Sequence, residues 1–166
     1  MERKIVFLTG ATGYMGWAGF QELHARADRF VVRVLARPSK KNRKKLEPYM
    51  NDPSVEIVWG DLTNYEDVLR GVTGADYVLH VGGMVSPAAD HFPEKTLKVN
   101  VTSSEHVARA VLAQPQPEKI KVVYIGSVAQ LGDRLFPHHW GRSGDPVMAS
   151  AYDMYSVSKC RAEKVI

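Results

Sequence analysis

Three residues in the last third of this 166-residue chain could move a proton: Ser127, Tyr155 and Lys159. In Tyr155-Ser156-Val157-Ser158-Lys159 the tyrosine and lysine stand four apart, so on a helix they share a face. A lysine ammonium beside a phenol favours the phenolate and draws a phenol pKa down from about 10 toward neutrality. A phenol tuned in that way can pass a proton to or from a carbinol oxygen while hydride moves at the adjoining carbon. Ser127, at an expected strand end, could hold the same oxygen. A Tyr-x-x-x-Lys pair arises readily by chance in a chain with seven tyrosines. Its weight comes from its company upstream.

That company begins at Ile5-Val6-Phe7-Leu8-Thr9-Gly10-Ala11-Thr12-Gly13-Tyr14-Met15-Gly16. An apolar run enters a turn with glycine at every third position, and a periodic apolar segment with Phe20 and Leu23 comes next. Strand, tight turn and helix in that order lay a phosphate against a helix N-terminus, where free N–H groups and the helix dipole favour negative charge. Gly10 can take a backbone conformation closed to other residues. Gly13 lets the chain approach a pyrophosphate, and Gly16 lets the helix pack on the strand. The spacing is G-x-x-G-x-x-G, not G-x-G-x-x-G.

The elements that must position these groups alternate along the chain. Strands are expected at Ile5–Leu8, Val31–Leu35, Val55–Trp59, Tyr77–Val81 and Val122–Ile125, each rich in the branched residues of a sheet buried on both faces. Helices are expected near 14–26, 40–49, 65–71, 95–112 and 153–166, with Asn64 capping the third. Five strands alternating with helices predict a parallel, doubly wound sheet. Residues 130–152, with Pro137 and Pro146, read as one long irregular stretch, more often functional than idle.

In such a sheet ligands sit beyond the carboxyl ends of the strands. The second strand ends at Arg37, inside Arg37-Pro38-Ser39-Lys40-Lys41-Asn42-Arg43-Lys44-Lys45, six basic side chains in nine positions. The run could be a solvated helix face or a nucleic-acid contact. The preferred reading is a site for a 2′-phosphate, held by Arg37 with Lys44 close behind, which implies NADP in preference to NAD. No aromatic residues interleave the run and no nucleic-acid motif contains it, so no nucleic-acid partner is expected. Asp61, after the third strand, could accept a bond from an adenine amino group or cap its own turn. Gly82 and Gly83 are small where a ribose would pass, or simply form a turn.

The net charge is +4 and Cys160 is the one cysteine, which excludes an intrachain disulfide and fits a reducing, cytoplasmic setting. No apolar run approaches the roughly 20 residues of a membrane span. The N-terminus enters a strand at once, so no signal peptide is expected. His138-His139-Trp140 invites a metal reading. It is set aside because adjacent strand histidines point opposite ways and nothing nearby completes a site. His80 reads as a packed core histidine and Cys160 as a packing residue.

As a set, these residues resemble the extended short-chain dehydrogenase/reductases, a group of NAD(P)-dependent epimerases, dehydratases and reductases. Thr9-Gly10-Ala11-Thr12-Gly13-Tyr14-Met15-Gly16 is similar to that family's cofactor loop, which implies cofactor contacts at Thr12, Tyr14 and Met15. Gly60-Asp61-Leu62 resembles its adenine-side segment, and Val78-Leu79-His80-Val81-Gly82-Gly83 the segment after the fourth strand. Val99-Asn100-Val101 resembles its V-N-V motif, and Gly126-Ser127-Val128-Ala129-Gln130-Leu131-Gly132 its serine segment. The resemblance implies Tyr155 as acid/base and Lys159 as the residue that binds the nicotinamide ribose and tunes it. It further implies Ser127 as the group orienting a substrate carbonyl, and Asn100 as a holder of active-site backbone. Arg37 and the run Val81–Pro87 lean toward the dihydroflavonol-reductase and hydroxysteroid-dehydrogenase branches.

The expected fold is a Rossmann-type α/β domain over residues 1–166, five parallel strands in the order 3-2-1-4-5 with helices on both faces. The family's C-terminal substrate domain is absent from this chain, which stops seven residues after Lys159. It is therefore expected to be part of a longer protein and to have little or no turnover alone. The expected function is hydride transfer on a carbonyl or alcohol, with NADP preferred and NAD as the other cofactor. The partners expected are a small-molecule substrate and, as a homodimer, a second copy of the chain. A nucleotide-sugar epimerase or dehydratase and a non-catalytic dinucleotide-sensing regulator are the alternatives.

Overall fold

A computed structural model of the chain describes residues 2–133, 137 and 141–166. Five strands, β1 (Lys4–Thr9), β2 (Phe30–Ala36), β3 (Val55–Trp59), β4 (Tyr77–His80) and β5 (Lys121–Tyr124), form one sheet in the order β3-β2-β1-β4-β5. Every neighbouring pair is parallel. The helices are α1 (Tyr14–His24), α2 (Lys40–Leu46), α3 (Tyr65–Val72), α4 (Ala88–His91), α5 (Pro93–Leu97), α6 (Ser103–Leu112) and α7 (Met154–Glu163). This is the order and architecture that the residue pattern predicts.

Strand alternation divides the core into two layers. Phe7 and Leu35 face one side of the sheet and pack with Val68 and Val72 of α3 and with Val107, Ala110 and Val111 of α6. Leu8, Val34 and Ala36 face the other, against Phe20 of α1 and Leu46 of α2. Phe20 is fully buried, which contributes about 2–3 kcal/mol. No helix among the described residues is long and apolar enough to cross a membrane.

Several boundaries differ from expectation for identifiable reasons. The basic helix ends at Leu46 and continues as a 3-10 turn over Glu47–Tyr49, because Pro48 has no N–H to extend it. The single helix expected at 95–112 is divided. After α5 the chain makes a π-helical turn, Lys98–Thr102, before α6. Local side-chain bonds stabilise that turn: Ser103 Oγ donates to Val99 O and Ser104 Oγ to Asn100 O. The extra width turns Asn100 inward. Asn64 caps α3 as expected, accepting from the N–H groups of Glu66 and Asp67. The ladder past β4 and β5 continues for one bond, from Ile125 N to His80 O, so the expected ends at Val81 and Ile125 differ only at the margin of assignment.

Candidate active site

The carboxyl ends of β1, β2, β4 and β5 bring the predicted residues to one edge of the sheet. At the end of β1, Gly10 has φ +72, and a Cβ there would lie 2.7 Å from Gly82 Cα. Gly13 donates its N–H to Gly10 O at 2.9 Å and begins α1 with no side-chain cap. Among the described residues nothing accepts from the N–H groups of Tyr14, Met15 or Gly16, and the first turn of α1 holds no acidic residue. Three open donors at the positive end of an eleven-residue helix fit an anion such as a pyrophosphate. The Tyr14 side chain is 99% exposed, so its contribution to this site is its backbone.

Arg37 lies just past β2. Its side chain is exposed and its guanidinium hydrogen-bonds to none of the described residues. Asp61, after β3, accepts from both N and Oγ1 of Thr63 at 2.8 Å, so it caps its own turn. Partial burial opposes its ionisation. The Thr63 bonds and the charges of Arg37 and Lys98 outweigh that, and hold the carboxyl below its ordinary range. Leu62 packs under Gly82, where a Cβ would come within 2.5 Å of Leu62 Cδ1. Lys44 is exposed and lines an open recess with Lys40, Arg43 and Glu47. The member of the basic run that reaches the glycine turn is Lys45, which no local pattern distinguishes from its neighbours: its Nζ donates to Thr12 O at 3.1 Å.

A buried polar chain ties β1, β4 and α6 together. Gly82 N–H donates to Thr9 Oγ1 at 3.0 Å, and Thr9 Oγ1 meets His80 Nδ1 at 2.9 Å. His80 Nε2 meets Ser104 Oγ at 3.1 Å, whose own proton goes to Asn100 O. Every member is satisfied when His80 is neutral and carries its proton on Nε2. Burial, with the Lys159 charge second, pushes the His80 pKa down to about 4. The unfolded chain therefore binds a proton near pH 6.5 that the folded chain refuses until about 4. Stability is full above 6.5 and falls as pH drops through that window, by up to about 3 kcal/mol. Urea midpoints of wild type and His80→Gln across pH 7 to 4.5 check this: the wild-type decline should be largely missing in the variant.

Asn100, 3% exposed, clamps the segment after β4. Its Oδ1 accepts from Met84 N at 2.7 Å, and its Nδ2 donates to Met84 O at 2.9 Å and to Ser158 Oγ of α7 at 2.8 Å. Gly83 lies against it, with room for a Cβ only 3.0 Å from Asn100 Oδ1. A second link fixes the start of α7: Asp90 accepts from Met154 N at 2.9 Å. Ser127 caps the 3-10 turn Val128–Leu131, accepting from Ala129 N at 3.2 Å, and Gln130 Oε1 accepts from Ser127 N at 2.6 Å. Among the described residues nothing accepts the Ser127 hydroxyl proton. Gln130, buried, also donates to Glu163 at the far end of α7. Ser127-x-x-Gln130 is a capping-box pattern, so this partner was legible from spacing.

Tyr155 and Lys159 stand one turn apart on α7. Lys159 is 7% exposed. Its Nζ donates to Ile125 O just beyond β5 and lies 4.4 Å over the Tyr124 ring, and it pairs with no carboxylate among the described residues. Burial lowers its pKa to about 8. Burial and the nearby Tyr155 push the Tyr124 phenol up. Tyr124 joins this group through strand pairing alone, which no local motif signals. Cys160 Sγ donates a weak hydrogen bond to Gln130 O at 3.7 Å. Among the described residues no group of three or more His, Cys, Asp or Glu could hold a metal ion. His138-His139-Trp140 lies outside the described residues.

A model of the NAD dependent epimerase/dehydratase family matches residues 6–166. UDP-glucose 4-epimerase of Rickettsia bellii (strain RML369-C) is 28% identical over 111 residues, 64% of this chain and 32% of that protein. Among solved structures, dTDP-glucose 4,6-dehydratase from Streptomyces venezuelae, with NAD bound, gives a TM-score of 0.79 at 22% identity over 99% of this chain and 50% of that one. Uronate dehydrogenase from Agrobacterium tumefaciens gives 0.68 at 25% identity over 99% and 55%. The solved structures establish the shared fold. The chain spans about a third of the length of the curated relatives it matches.

Proposed function

Because the chain belongs to the NAD dependent epimerase/dehydratase family, we propose that it forms the dinucleotide-binding part of an NAD(P)-dependent oxidoreductase. Ser127, Tyr155 and Lys159 handle the proton that accompanies hydride transfer at a carbonyl or alcohol carbon. The observation that carries this reading is Lys159, a buried ammonium that among the described residues has one carbonyl acceptor and no anion beside it. Burying an unpaired charge costs stability, and such groups concentrate where chemistry uses them.

The residues divide the work. The N–H groups of Tyr14, Met15 and Gly16, reached through the Gly10–Thr12–Gly13 turn, bind the pyrophosphate with the α1 dipole behind them. Arg37, aided by Lys44, takes a 2′-phosphate. Asp61 and Leu62 border the adenine, and Val81, Gly82 and Gly83 border the adjoining ribose. Bound NAD(P) supplies the hydride donor or acceptor. Ser127 donates its free hydroxyl proton to the substrate oxygen. Tyr155 gives a proton to that oxygen as an alcohol forms, or takes it as a carbonyl forms. Lys159, charged below about pH 8, favours the anionic phenol and holds the nicotinamide ribose. Asn100 keeps the segment after β4 and α7 in register through Met84 and Ser158.

A test of the cofactor half is a fluorescence titration of NADPH and NADH against wild type and Arg37→Asp. Wild type should prefer NADPH by roughly tenfold or more, and the variant should lose that preference, as expected when a bidentate phosphate contact becomes a like charge. Equal wild-type affinities would remove the NADP preference, and binding of neither would remove the dinucleotide reading. A second reading, a nucleotide-sugar epimerase or dehydratase, is favoured by the likeness to UDP-glucose 4-epimerase. NAD(H) carried through purification of the complete protein would point to it, whereas freely exchanging NADPH supports the reductase.

A further inference from the structure

The basic run from Arg37 to Lys45 is not uniform in the folded chain. Arg37, Lys40, Lys41, Arg43 and Lys44 are exposed, whereas Lys45 is partly buried. Its ammonium crosses from α2 to the glycine turn, donating to Thr12 O at 3.1 Å and lying 4.0 Å over the Trp17 ring. Trp17 is itself stacked on the core residue Phe20, with ring centroids 5.1 Å apart. An ammonium carries three donors, and among the described residues Thr12 O is the one acceptor that Lys45 Nζ meets.

The bonded carbonyl belongs to the Thr12–Gly13 peptide unit. A trans peptide points its C=O and N–H in opposite directions. Here the N–H end goes to Gly10 O at 2.9 Å and the C=O end to Lys45, so the unit is tethered on both sides. The next three N–H groups, of Tyr14, Met15 and Gly16, are the open donors at the start of α1. Lys45 thus does two things at that point. It fixes the peptide plane that aims the open donors, and it adds a full positive charge to the partial charge of the helix end.

We propose that Lys45 is a phosphate-site residue: a cationic latch that sets the glycine turn and strengthens binding of a pyrophosphate-bearing ligand, whether or not that ligand carries a 2′-phosphate. This rests on the dinucleotide reading above. It separates Lys45 from Arg37, whose exposed position at the end of β2 serves only the 2′-phosphate. The two residues are eight apart in one basic run but are assigned to opposite ends of the same ligand half.

The test titrates the full chain with NADH, NADPH and adenosine at several salt concentrations, for wild type, Lys45→Met and Lys45→Arg. Lys45→Met keeps the packing of the stem on Trp17 and removes the charge. It should weaken NADH and NADPH by the same factor, about tenfold, the size of one charge-assisted bond. It should also flatten the salt dependence of both and leave adenosine unchanged. Lys45→Arg should restore most of the affinity. A purely structural lysine would instead lower the melting temperature without altering the salt slope. Should Lys45→Met not fold, Lys45→Gln, which keeps a donor for Thr12 O, reads the charge alone. Wild-type affinity and salt slope in the uncharged variants overturn the proposal while leaving the dinucleotide reading in place. A loss confined to NADPH also overturns it, because Lys45 would then belong to the 2′-phosphate. If wild type binds neither dinucleotide, the parent reading fails with it.

Discussion

Gly16→Ala is expected to unfold the phosphate turn. A Cβ at Gly16 would stand 2.1 Å from Gly10 O, 2.6 Å from Gly10 C and 3.0 Å from Ala11 N. All three are backbone atoms, so no side chain can rotate out of the way. Either α1 moves off β1 or the turn between them reopens. Overpacking of this kind costs about 2–4 kcal/mol, which lowers Tm by roughly 5–15 °C in a domain of this size. Because the displaced atoms are those that aim the Tyr14 and Met15 N–H groups, NADPH affinity should fall by more than about tenfold even where the variant remains folded. Gly19→Ala, three residues on, is the internal control. A Cβ there meets nothing within 4 Å, and alanine in place of glycine in a helix interior adds about 0.5–1 kcal/mol of stability. Thermal melts of the two variants should move in opposite directions, and NADPH affinity should fall in Gly16→Ala alone. A Gly16→Ala protein that melts and binds like wild type would contradict the close approach of α1 to the turn.

Tyr155→Phe in the complete protein should lower kcat by about 10²–10⁴, the usual contribution of a positioned acid/base. NAD(P)H affinity should stay within about twofold, because the loss is one phenolic oxygen and not a phosphate contact. The expectation rests on how α7 is held. Asp90 bonds the N–H of Met154 at its start, Asn100 bonds Ser158 in its middle, and Gln130 bonds Glu163 at its end while also holding the Ser127 backbone. None of these bonds uses the Tyr155 hydroxyl, so the variant removes the proposed proton-transfer group and leaves its support intact. The relevant readout is kcat on the substrate that the complete protein converts, beside cofactor affinity measured on the same preparation. Unchanged turnover would remove Tyr155 as the acid/base, whereas unchanged biological output with NAD(P)H still bound and no turnover in wild type would favour a dinucleotide-sensing regulator over an enzyme.

Much of the frame is readable along the chain because it is local. Val and Ile runs alternate with amphipathic segments, Asn64 caps α3, and Ser127 caps the 3-10 turn at Val128–Leu131. Glycines at 10 and 16 stand where only a Cβ-free backbone fits, and a Cβ at Gly13 would be tight, 3.3 Å from Gly10 O. The split of the expected 95–112 helix leaves no clear mark in the local pattern, and the partners that Asn100 finds from the π turn, Met84 and Ser158, lie in two distant segments. Nor did the basic run disclose its one inward member. At the level of composition Lys44 and Lys45 are equivalent, and helical rotation of about 100° per residue sends one to an open recess and the other to Thr12 O.

Sheet order, the glycine turn and the positions of the candidate site residues can all be read along the chain, since these arise from short-range pattern and from steric rules about glycine and turns. Which of those residues meet, and in what charge state, is set by how distant segments pack. Lys159 becomes a buried cation because β5 supplies a carbonyl and the Tyr124 ring around it. His80 is held neutral because β1 and α6 close over both of its ring nitrogens. Charge state and reach depend on burial and on partners tens of residues away, and those are properties of packing that no single stretch of chain encodes.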